Sequence, residues 1–229
     1  MTNNHEYYLS YVNSVNDIPG RYKNTFNNSK SLMDFYKDKF ILIASDSGTG
    51  KTQWCFDFIK ARLKWARAYE RKYFELEQTC EKVVCQMGCF DNEEINGGVI
   101  AISEEDEKLF DHYEKQKFFC QKNLYVDWRS FYKDIHKWED LEQAYFRNRI
   151  ARFSGGLLFL DDLPLFDTQA QKDLFHAVIN DRYRFDLPTV LVTQYEPERW
   201  FSSMFYETEW RIKEVCRKLK LKNINYRKK

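Results

Sequence analysis

A glycine-rich segment holds the residue types that bind phosphate groups. Its residues are Ser45, Asp46, Ser47, Gly48, Thr49, Gly50, Lys51 and Thr52. The spacing fits the P-loop pattern, in which Gly and four further residues precede Gly-Lys-Ser/Thr, except that Ser45 replaces the first Gly. The alternative interpretation is a chance Gly-rich turn between a strand and a helix.

Each residue type in this segment has a physical reason to be there. Gly48 and Gly50 allow backbone N–H groups to turn toward phosphate oxygens. The helix that begins near Lys51 directs its positive end at the same oxygens. Lys51 supplies a mobile charge for the β- and γ-phosphates, and the Thr52 hydroxyl is a ligand for Mg²⁺. The sequence therefore predicts an ATP and Mg²⁺ site.

Two adjacent carboxylates follow the apolar run 156–160. A buried strand that ends in acidic residues is typical of the second nucleotide motif, Walker B. We expect Asp161 to bind Mg²⁺ and Asp162 to act as the catalytic base toward the attacking water. The alternative is a solvated strand end in which Asp162 caps a turn.

Polar residues also end the apolar segment 188–193. In P-loop ATPases of the additional-strand class, a polar side chain at this point senses the γ-phosphate. Gln194, through its amide, and Thr193, through its hydroxyl, are the candidates. An ordinary loop start is the alternative.

The remaining pattern predicts the elements that hold these motifs. The predicted strands are 40–44, 98–102, 124–126, 156–160, 188–193 and 216–221. The predicted helices run from Thr52 into the 70s, over 128–152 and 167–184, and near 207–215, and residues 78–95 are expected to be irregular. Because the strands are continuously apolar and alternate with helices, we expect an α/β, three-layer αβα P-loop NTPase fold with a central, mostly parallel sheet.

Three segments are expected along the chain. Residues 1–39 form a short lead-in, residues 40–205 the ATPase core with an irregular insertion at about 68–96, and residues 206–229 a C-terminal helix, strand and basic tail.

Composition limits the classes of function. Hydrophobic residues are 43% and charged residues 31% of the 229 residues, which excludes a wholly disordered chain. No apolar run approaches about 18 residues, so we expect a cytoplasmic protein without a membrane span. With a net charge of +1, any DNA contact must use local basic patches rather than the whole molecule. The alternative for a basic run is a solvated face. The candidate patches are the tail 211–229 and the group Lys60, Arg62, Lys64, Arg67, Arg71 and Lys72.

Further residues resemble one known family. Residues 18–22 (Ile-Pro-Gly-Arg-Tyr), the double aspartate, residues 179–183 (Ile-Asn-Asp-Arg-Tyr) and residues 187–189 (Leu-Pro-Thr) resemble the AAA+ ATPases of the DnaC/IstB type. The resemblance runs from about residue 18 to the end of the chain. It departs at residues 192–194, where Val-Thr-Gln stands in place of Thr-Ser-Asn. Many helicase loaders of the family carry an N-terminal helicase-binding domain, and because residues 1–44 precede the loop here, we expect no such domain of normal size.

The resemblance implies a mechanism and a set of partners. Arg211 corresponds to an arginine finger that acts on ATP bound by a neighbouring subunit, with Arg182 and Arg184 as further candidates. The chain is then expected to form a homo-oligomer, and to load a replicative helicase onto single-stranded DNA for a phage or mobile element. The alternatives are a transposition helper that works with a transposase on duplex DNA, and an adaptor that binds nucleotide but barely hydrolyses it.

A cluster of cysteines gives a weaker signal. Cys80, Cys85 and Cys89 have spacings of four and three intervening residues, unlike the two-residue spacing of most zinc knuckles. We expect ordinary reduced thiols rather than a zinc site.

Overall fold

The computed structural model describes residues 9–22, 39–87, 103–135, 137, 140–219 and 221. Six strands are present in this part of the chain: β1 Leu9–Tyr11, β2 Phe40–Ala44, β3 Asn123–Asp127, β4 Leu157–Leu163, β5 Thr189–Thr193 and β6 Cys216–Leu219. The α-helices are α1 Lys51–Met87, α2 Glu104–Gln121, α3 Trp128–Ile135, α4 Asp140–Ala151, α5 Gln169–Arg184, α6 Pro197–Phe201 and α7 Tyr206–Val215. Two short 3-10 helices, Val15–Asp17 and Gly20–Tyr22, follow β1.

The strands form one sheet in the order β1-β3-β4-β5-β2-β6. All neighbours from β3 to β6 pair in parallel, and only β1 is antiparallel to its neighbour. The strand β5 therefore lies between β2, which leads into the glycine-rich loop, and β4, which carries the two aspartates. This arrangement confirms the predicted parallel sheet of the additional-strand class.

Both faces of the sheet are covered, which explains why the strands are continuously apolar. Along β2, Phe40 and Leu42 belong to one core, and Ile41 and Ile43 belong to the other. The first core is completed by side chains from α3 to α7, and the second by α1 and the segment before β2. Because successive side chains of a strand point to opposite faces, a strand between two helical layers must be apolar at every position.

The first helix is longer and more regular than the sequence predicts. It spans 37 residues, which corresponds to about 55 Å at 1.5 Å per residue. The expected irregular structure at 78–95, and the irregular insertion expected at about 68–96, are wrong as far as residue 87, because residues 68–87 continue the helix. Residues 88–96, the predicted strand 98–102 and the side chains of Cys80, Cys85 and Cys89 lie outside the described residues.

The distal part of α1 packs against α2, a helix that the sequence analysis did not anticipate. Glu70 forms an ion pair with Lys117 at 2.9 Å, and the rings of Tyr73 and Phe110 lie 4.9 Å apart. In the described part of α1, the last fully buried side chain is Ala66. The two helices therefore extend beyond the sheet as a hairpin. None of the helices described here is both long and apolar enough to cross a membrane.

Candidate nucleotide-binding site

The glycine-rich loop connects β2 to α1 in a conformation that depends on its glycines. Gly48 and Gly50 have φ angles of 85° and 82°, a region that favours glycine because it lacks a Cβ atom. The Lys51 Nζ donates hydrogen bonds to the carbonyl oxygens of Ser45 and Asp46, both at 2.7 Å. The Thr49 hydroxyl donates to the Asp46 carbonyl at 2.9 Å. The lysine is thus held against its own loop, at the position from which it can transfer to a phosphate.

Ser45, the departure from the P-loop pattern, has a structural role. Its side-chain oxygen accepts a hydrogen bond from the backbone N–H of Leu221 at 3.1 Å. Its own N–H donates to the carbonyl oxygen of Thr193 at 3.4 Å. A glycine at position 45 offers no side-chain acceptor, so the serine ties the segment after β6 to the start of the loop.

Asp161 joins the loop to the acidic strand end. Its Oδ2 accepts hydrogen bonds from the hydroxyls of Thr52, at 2.7 Å, and Tyr125, at 2.6 Å. Its Oδ1 accepts the backbone N–H of Asp162 at 2.8 Å, and the residue is 4% exposed. The two predicted Mg²⁺ ligands, which lie 109 residues apart in the chain, are therefore in direct contact.

The donor set of Thr52 and Asp161 fits Mg²⁺. The ion prefers oxygen ligands at about 2.0–2.1 Å in an octahedron, so two adjacent ligands lie about 2.9 Å apart. The Thr52 hydroxyl and the Asp161 carboxylate oxygen, at 2.7 Å, are already close to that separation. They are the residues that would hold the ion.

Asp162 departs from regular strand structure. Its φ is 54°, a left-handed value that is uncommon for a residue with a side chain, and the pairing of β4 with β5 shifts register between Leu160 and Leu163. Its Oδ2 forms an ion pair with the Arg129 Nε at 3.0 Å, and both side chains are about half exposed. Partial burial raises the pKa of this carboxyl, and Arg129 opposes the rise. The strand end thus presents an ionisable group beside the metal ligand, as a catalytic base requires.

The two sensor candidates differ in how their polar atoms are used. The buried Thr193 hydroxyl donates to the Leu163 carbonyl at 2.9 Å and links the ends of β5 and β4. The Gln194 amide donates to the Tyr195 hydroxyl at 3.3 Å, and the residue is half-buried. Of the two, Gln194 is the better placed to contact a ligand, and its sensor role stays a prediction.

Arg211 lies on α7, where it contacts Glu207 and Tyr183. Its Nη2 donates to the Glu207 carboxylate at 2.6 Å, and its guanidinium lies 5.9 Å from the centre of the Tyr183 ring. Its buried Nη1 has no hydrogen-bond partner within the described part of the chain. Arg211 thus forms an ion pair within its own helix, which is the alternative to the finger role, and the finger role stays a prediction.

Arg182 is not a possible finger, because it is fully buried and bonded internally. Its guanidinium donates to the Phe153 carbonyl at 3.1 Å, the Pro188 carbonyl at 2.7 Å, and the Thr189 hydroxyl. Burial lowers its pKa to about 9, so it remains charged at neutral pH. Arg184 is exposed, with its guanidinium 5.6 Å from the centre of the Phe185 ring.

Two residues of the site escaped the sequence analysis. Tyr125 and Arg129, which come from β3 and α3, contact Asp161 and Asp162 respectively. A signal was available, since the carboxyl ends of parallel strands meet at one edge of a sheet and 124–126 was already a predicted strand. Burial and the neighbouring carboxylate raise the pKa of the Tyr125 phenol well above its usual range, so the group is a permanent donor.

Part of the predicted basic patch on α1 is not available to DNA. Lys60 and Arg62 are buried: Lys60 pairs with Asp57 at 3.0 Å, and the Arg62 Nε donates to Asn123 at 2.7 Å. Three other members of the patch are exposed and form no ion pair with any described residue; they are Lys64, Arg67 and Arg71. Lys72 is exposed, with its Nζ 5.7 Å from the centre of the Tyr113 ring. Residues 222–229 of the basic tail lie outside the described residues.

Comparison with known proteins shows similarity in structure. No protein-family profile matches the sequence, and no curated protein matches it. A crystal structure of the DnaC helicase loader matches with a TM-score of 0.50 and 16% identity, over 89% of this chain and 100% of that one. A protein from Streptococcus pyogenes serotype M3, provisionally assigned as a primosome component, matches with a TM-score of 0.50 and 14% identity, over 91% of both chains. The chain thus has the three-layer α/β fold of P-loop AAA+ proteins, which it shares with the DnaC helicase loader.

Proposed function

We propose that this chain binds and hydrolyses ATP with Mg²⁺ at the glycine-rich loop. The observation that carries the proposal is the 2.7 Å contact between Thr52 and Asp161, which brings the two nucleotide motifs together. Lys51 exchanges the carbonyls of Ser45 and Asp46 for phosphate oxygens, which are better partners for a cation because they are charged. Mg²⁺, when bound, neutralises charge on the phosphate oxygens.

The proposed residues divide the remaining work. Thr52 and Asp161 hold the metal, Asp162 takes a proton from the attacking water, and Gln194 orients that water near the γ-phosphate. In the described state Asp162 is ion-paired with Arg129, which lowers its capacity to accept a proton. Because of this ion pair, we expect the protein alone to hydrolyse ATP slowly. The pair is also the observation that favours the alternative of a weakly hydrolysing adaptor.

Steady-state ATP hydrolysis with two variants tests the catalytic assignment. Lys51→Ala is expected to abolish turnover with loss of ATP binding, and Asp162→Asn is expected to abolish turnover while ATP binding persists. Lys108→Ala and Asp173→Asn make the same chemical changes at exposed positions on α2 and α5 and serve as matched controls. Wild-type turnover in Asp162→Asn would show that another group is the base.

We further propose that ATP is hydrolysed between subunits, with Arg211 acting on the ATP of a neighbour. Support comes from its position on α7, where its contacts among the described residues are with Glu207 and Tyr183 rather than with its own loop. Neither an Arg211→Ala chain nor a Lys51→Ala chain is expected to hydrolyse ATP alone. A mixture of the two should recover activity, because one chain provides an intact loop and the other an intact finger. No recovery at any ratio contradicts action in trans.

The biological role that we propose is loading of a replicative helicase onto single-stranded DNA, for a phage or another mobile element. It rests on the fold shared with the DnaC loader and on the exposed cations Lys64, Arg67 and Arg71. Contacts between Lys or Arg and phosphates make DNA affinity fall as salt rises. In a plot of log affinity against log salt concentration, each phosphate of single-stranded DNA that is contacted contributes a slope of about −0.7.

A charge-matched pair of variants tests the DNA contact. Replacing Lys64, Arg67 and Arg71 with alanine is expected to reduce the salt slope for single-stranded DNA by about 2. The control replaces Lys108, Lys115 and Lys137, three exposed lysines that already pair with acids of their own segment. Equal slopes in both triple variants contradict a contact through α1. Stimulation of ATP hydrolysis by duplex rather than single-stranded DNA indicates the transposition helper instead.

A further inference from the structure

Tyr125 makes a contact that the proposed mechanism does not use. It lies on β3, the strand beside β4, where Asp127 pairs in register with Asp161. Its hydroxyl donates to the Asp161 Oδ2 at 2.6 Å, and its ring packs on that of Phe56, with the ring centres 4.8 Å apart. The phenol is therefore fixed at one end by α1 and at the other by the carboxylate.

The hydrogen bonds around Asp161 determine the direction in which its carboxylate faces. Oδ2 accepts from both the Thr52 and the Tyr125 hydroxyl, and Oδ1 accepts the N–H of Asp162. Two of these donors have other demands on them. The Thr52 oxygen is a proposed metal ligand, and Asp162 occupies a strained backbone position. Among the described residues, the Tyr125 hydroxyl donates only to the carboxylate, so it can hold Asp161 in place when Thr52 turns toward a ligand.

We propose that Tyr125 is a positioning residue for Mg²⁺, which holds the Asp161 carboxylate so that it and the Thr52 hydroxyl face the same ion. This inference rests on the proposed Mg²⁺ and ATP site. In this role, the hydroxyl of Tyr125 on β3 donates a hydrogen bond to the metal ligand Asp161 and so sets the orientation of its carboxylate. Loss of such a partner typically costs 10- to 100-fold in metal affinity or activity.

The variant Tyr125→Phe isolates the hydroxyl, because the phenylalanine ring keeps the packing against Phe56. The matched control is Tyr183→Phe, which removes a hydroxyl that donates to the carboxylate of Glu214. Tyr183 lies near the end of α5, where its contacts among the described residues are with α7 rather than with the glycine-rich loop. Thermal unfolding of both variants establishes that each is folded before the binding measurements.

The readout is the Mg²⁺ concentration that gives half-maximal binding of a fluorescent ATP analogue. Tyr125→Phe is expected to raise this concentration about tenfold, while binding of the analogue in EDTA changes less than twofold. Mn²⁺, which binds oxygen ligands more tightly than Mg²⁺, is expected to recover part of the loss. Tyr183→Phe is expected to match the wild type.

The outcomes separate this inference from the proposed function. A wild-type titration that responds to Mg²⁺, with a Tyr125→Phe midpoint within twofold of it, overturns the positioning role alone. Equal losses in EDTA and in Mg²⁺ also overturn it, because they indicate a general packing defect. A wild-type protein whose binding of the analogue equals that of Lys51→Ala overturns the proposed site, and the inference with it.

Discussion

Removal of the Arg129 guanidinium should increase the basal rate of ATP hydrolysis. Its Nε lies 3.0 Å from the Asp162 carboxylate, and the two side chains are 52% and 43% exposed. In this half-exposed pair the arginine holds the proposed base in an ion-paired state. Arg129→Ala frees the carboxylate and also raises its pKa further, since Arg129 opposes the effect of burial more strongly than Lys51 does. Both changes favour acceptance of a proton from water.

The size of the effect follows from the exposure of the pair. Exposed ion pairs typically contribute about 0.2–1 kcal/mol, which corresponds to a roughly 1.4- to 5-fold change in the population of free carboxylate. We therefore expect kcat without a partner to rise by up to about 5-fold, with little change in KM because the substitution leaves the glycine-rich loop intact.

Steady-state hydrolysis at saturating Mg²⁺ and ATP measures this change. The control is Arg152→Ala, which breaks another arginine–aspartate pair, formed by an exposed arginine with the partly buried Asp181 at 3.7 Å. A decrease in kcat for Arg129→Ala would refute the reasoning, because it would mean that the arginine assists hydrolysis rather than restraining the base. An unchanged kcat would show that the pair does not limit the basal rate.

Other substitutions test the packing and metal assignments. Arg182→Ala leaves buried carbonyl oxygens without a donor. We expect it to lower the free energy of unfolding, measured by urea denaturation, by about 3 kcal/mol or more. The control Arg184→Ala, at an exposed position, should lower it by less than about 0.5 kcal/mol. Ser45→Gly restores the P-loop pattern but removes the acceptor for the Leu221 N–H. It should lower the free energy of unfolding by about 1 kcal/mol in the same denaturation experiment. Its ATP affinity, measured by titration, should stay within about threefold of the wild type. Thr52→Ala is expected to abolish the Mg²⁺ dependence of ATP binding while binding in EDTA persists, and retained Mg²⁺ dependence would remove Thr52 from the metal site.

The sequence predicts the parts of this protein that depend on local chemistry. The glycine-rich loop, the acidic strand end and the parallel strands each follow from residue types within about ten positions of each other. The length of α1 was also predictable, because Gly88 is the first glycine after Gly50 and no proline intervenes. For α2, Ser103 followed three residues later by Asp106 is a signal for the start of a helix. In the structure, the Ser103 hydroxyl accepts a hydrogen bond from the Asp106 N–H at 3.1 Å.

Contacts between distant residues were not predictable from one sequence. Lys60 and Arg62 have the charge of a surface patch, yet both are buried in the fold. Lys60 donates to the Tyr22 carbonyl and Arg62 donates to the Asn123 side chain, partners that are 38 and 61 positions away. In the sequence, Arg182 is as plausible an arginine finger as other arginines near the end of the chain. In the structure it donates hydrogen bonds to the backbone carbonyls of Phe153 and Pro188. The predicted strand 124–126 indicates that Tyr125 lies near the site, but its contact with Asp161, 36 positions away, depends on β3 and β4 being neighbours, an order that local patterns do not encode.

The central claim is an ATP site formed by the glycine-rich loop and the acidic strand end. Equilibrium titration of the chain with a fluorescent ATP analogue, in Mg²⁺ and in EDTA, tests it most directly. We predict saturable binding that Mg²⁺ strengthens, and at least about tenfold weaker binding in Lys51→Ala, because charge-assisted hydrogen bonds contribute about 1.5–3 kcal/mol. Lys108→Ala should bind as the wild type does. Equal affinities for Lys51→Ala and the wild type would contradict the account.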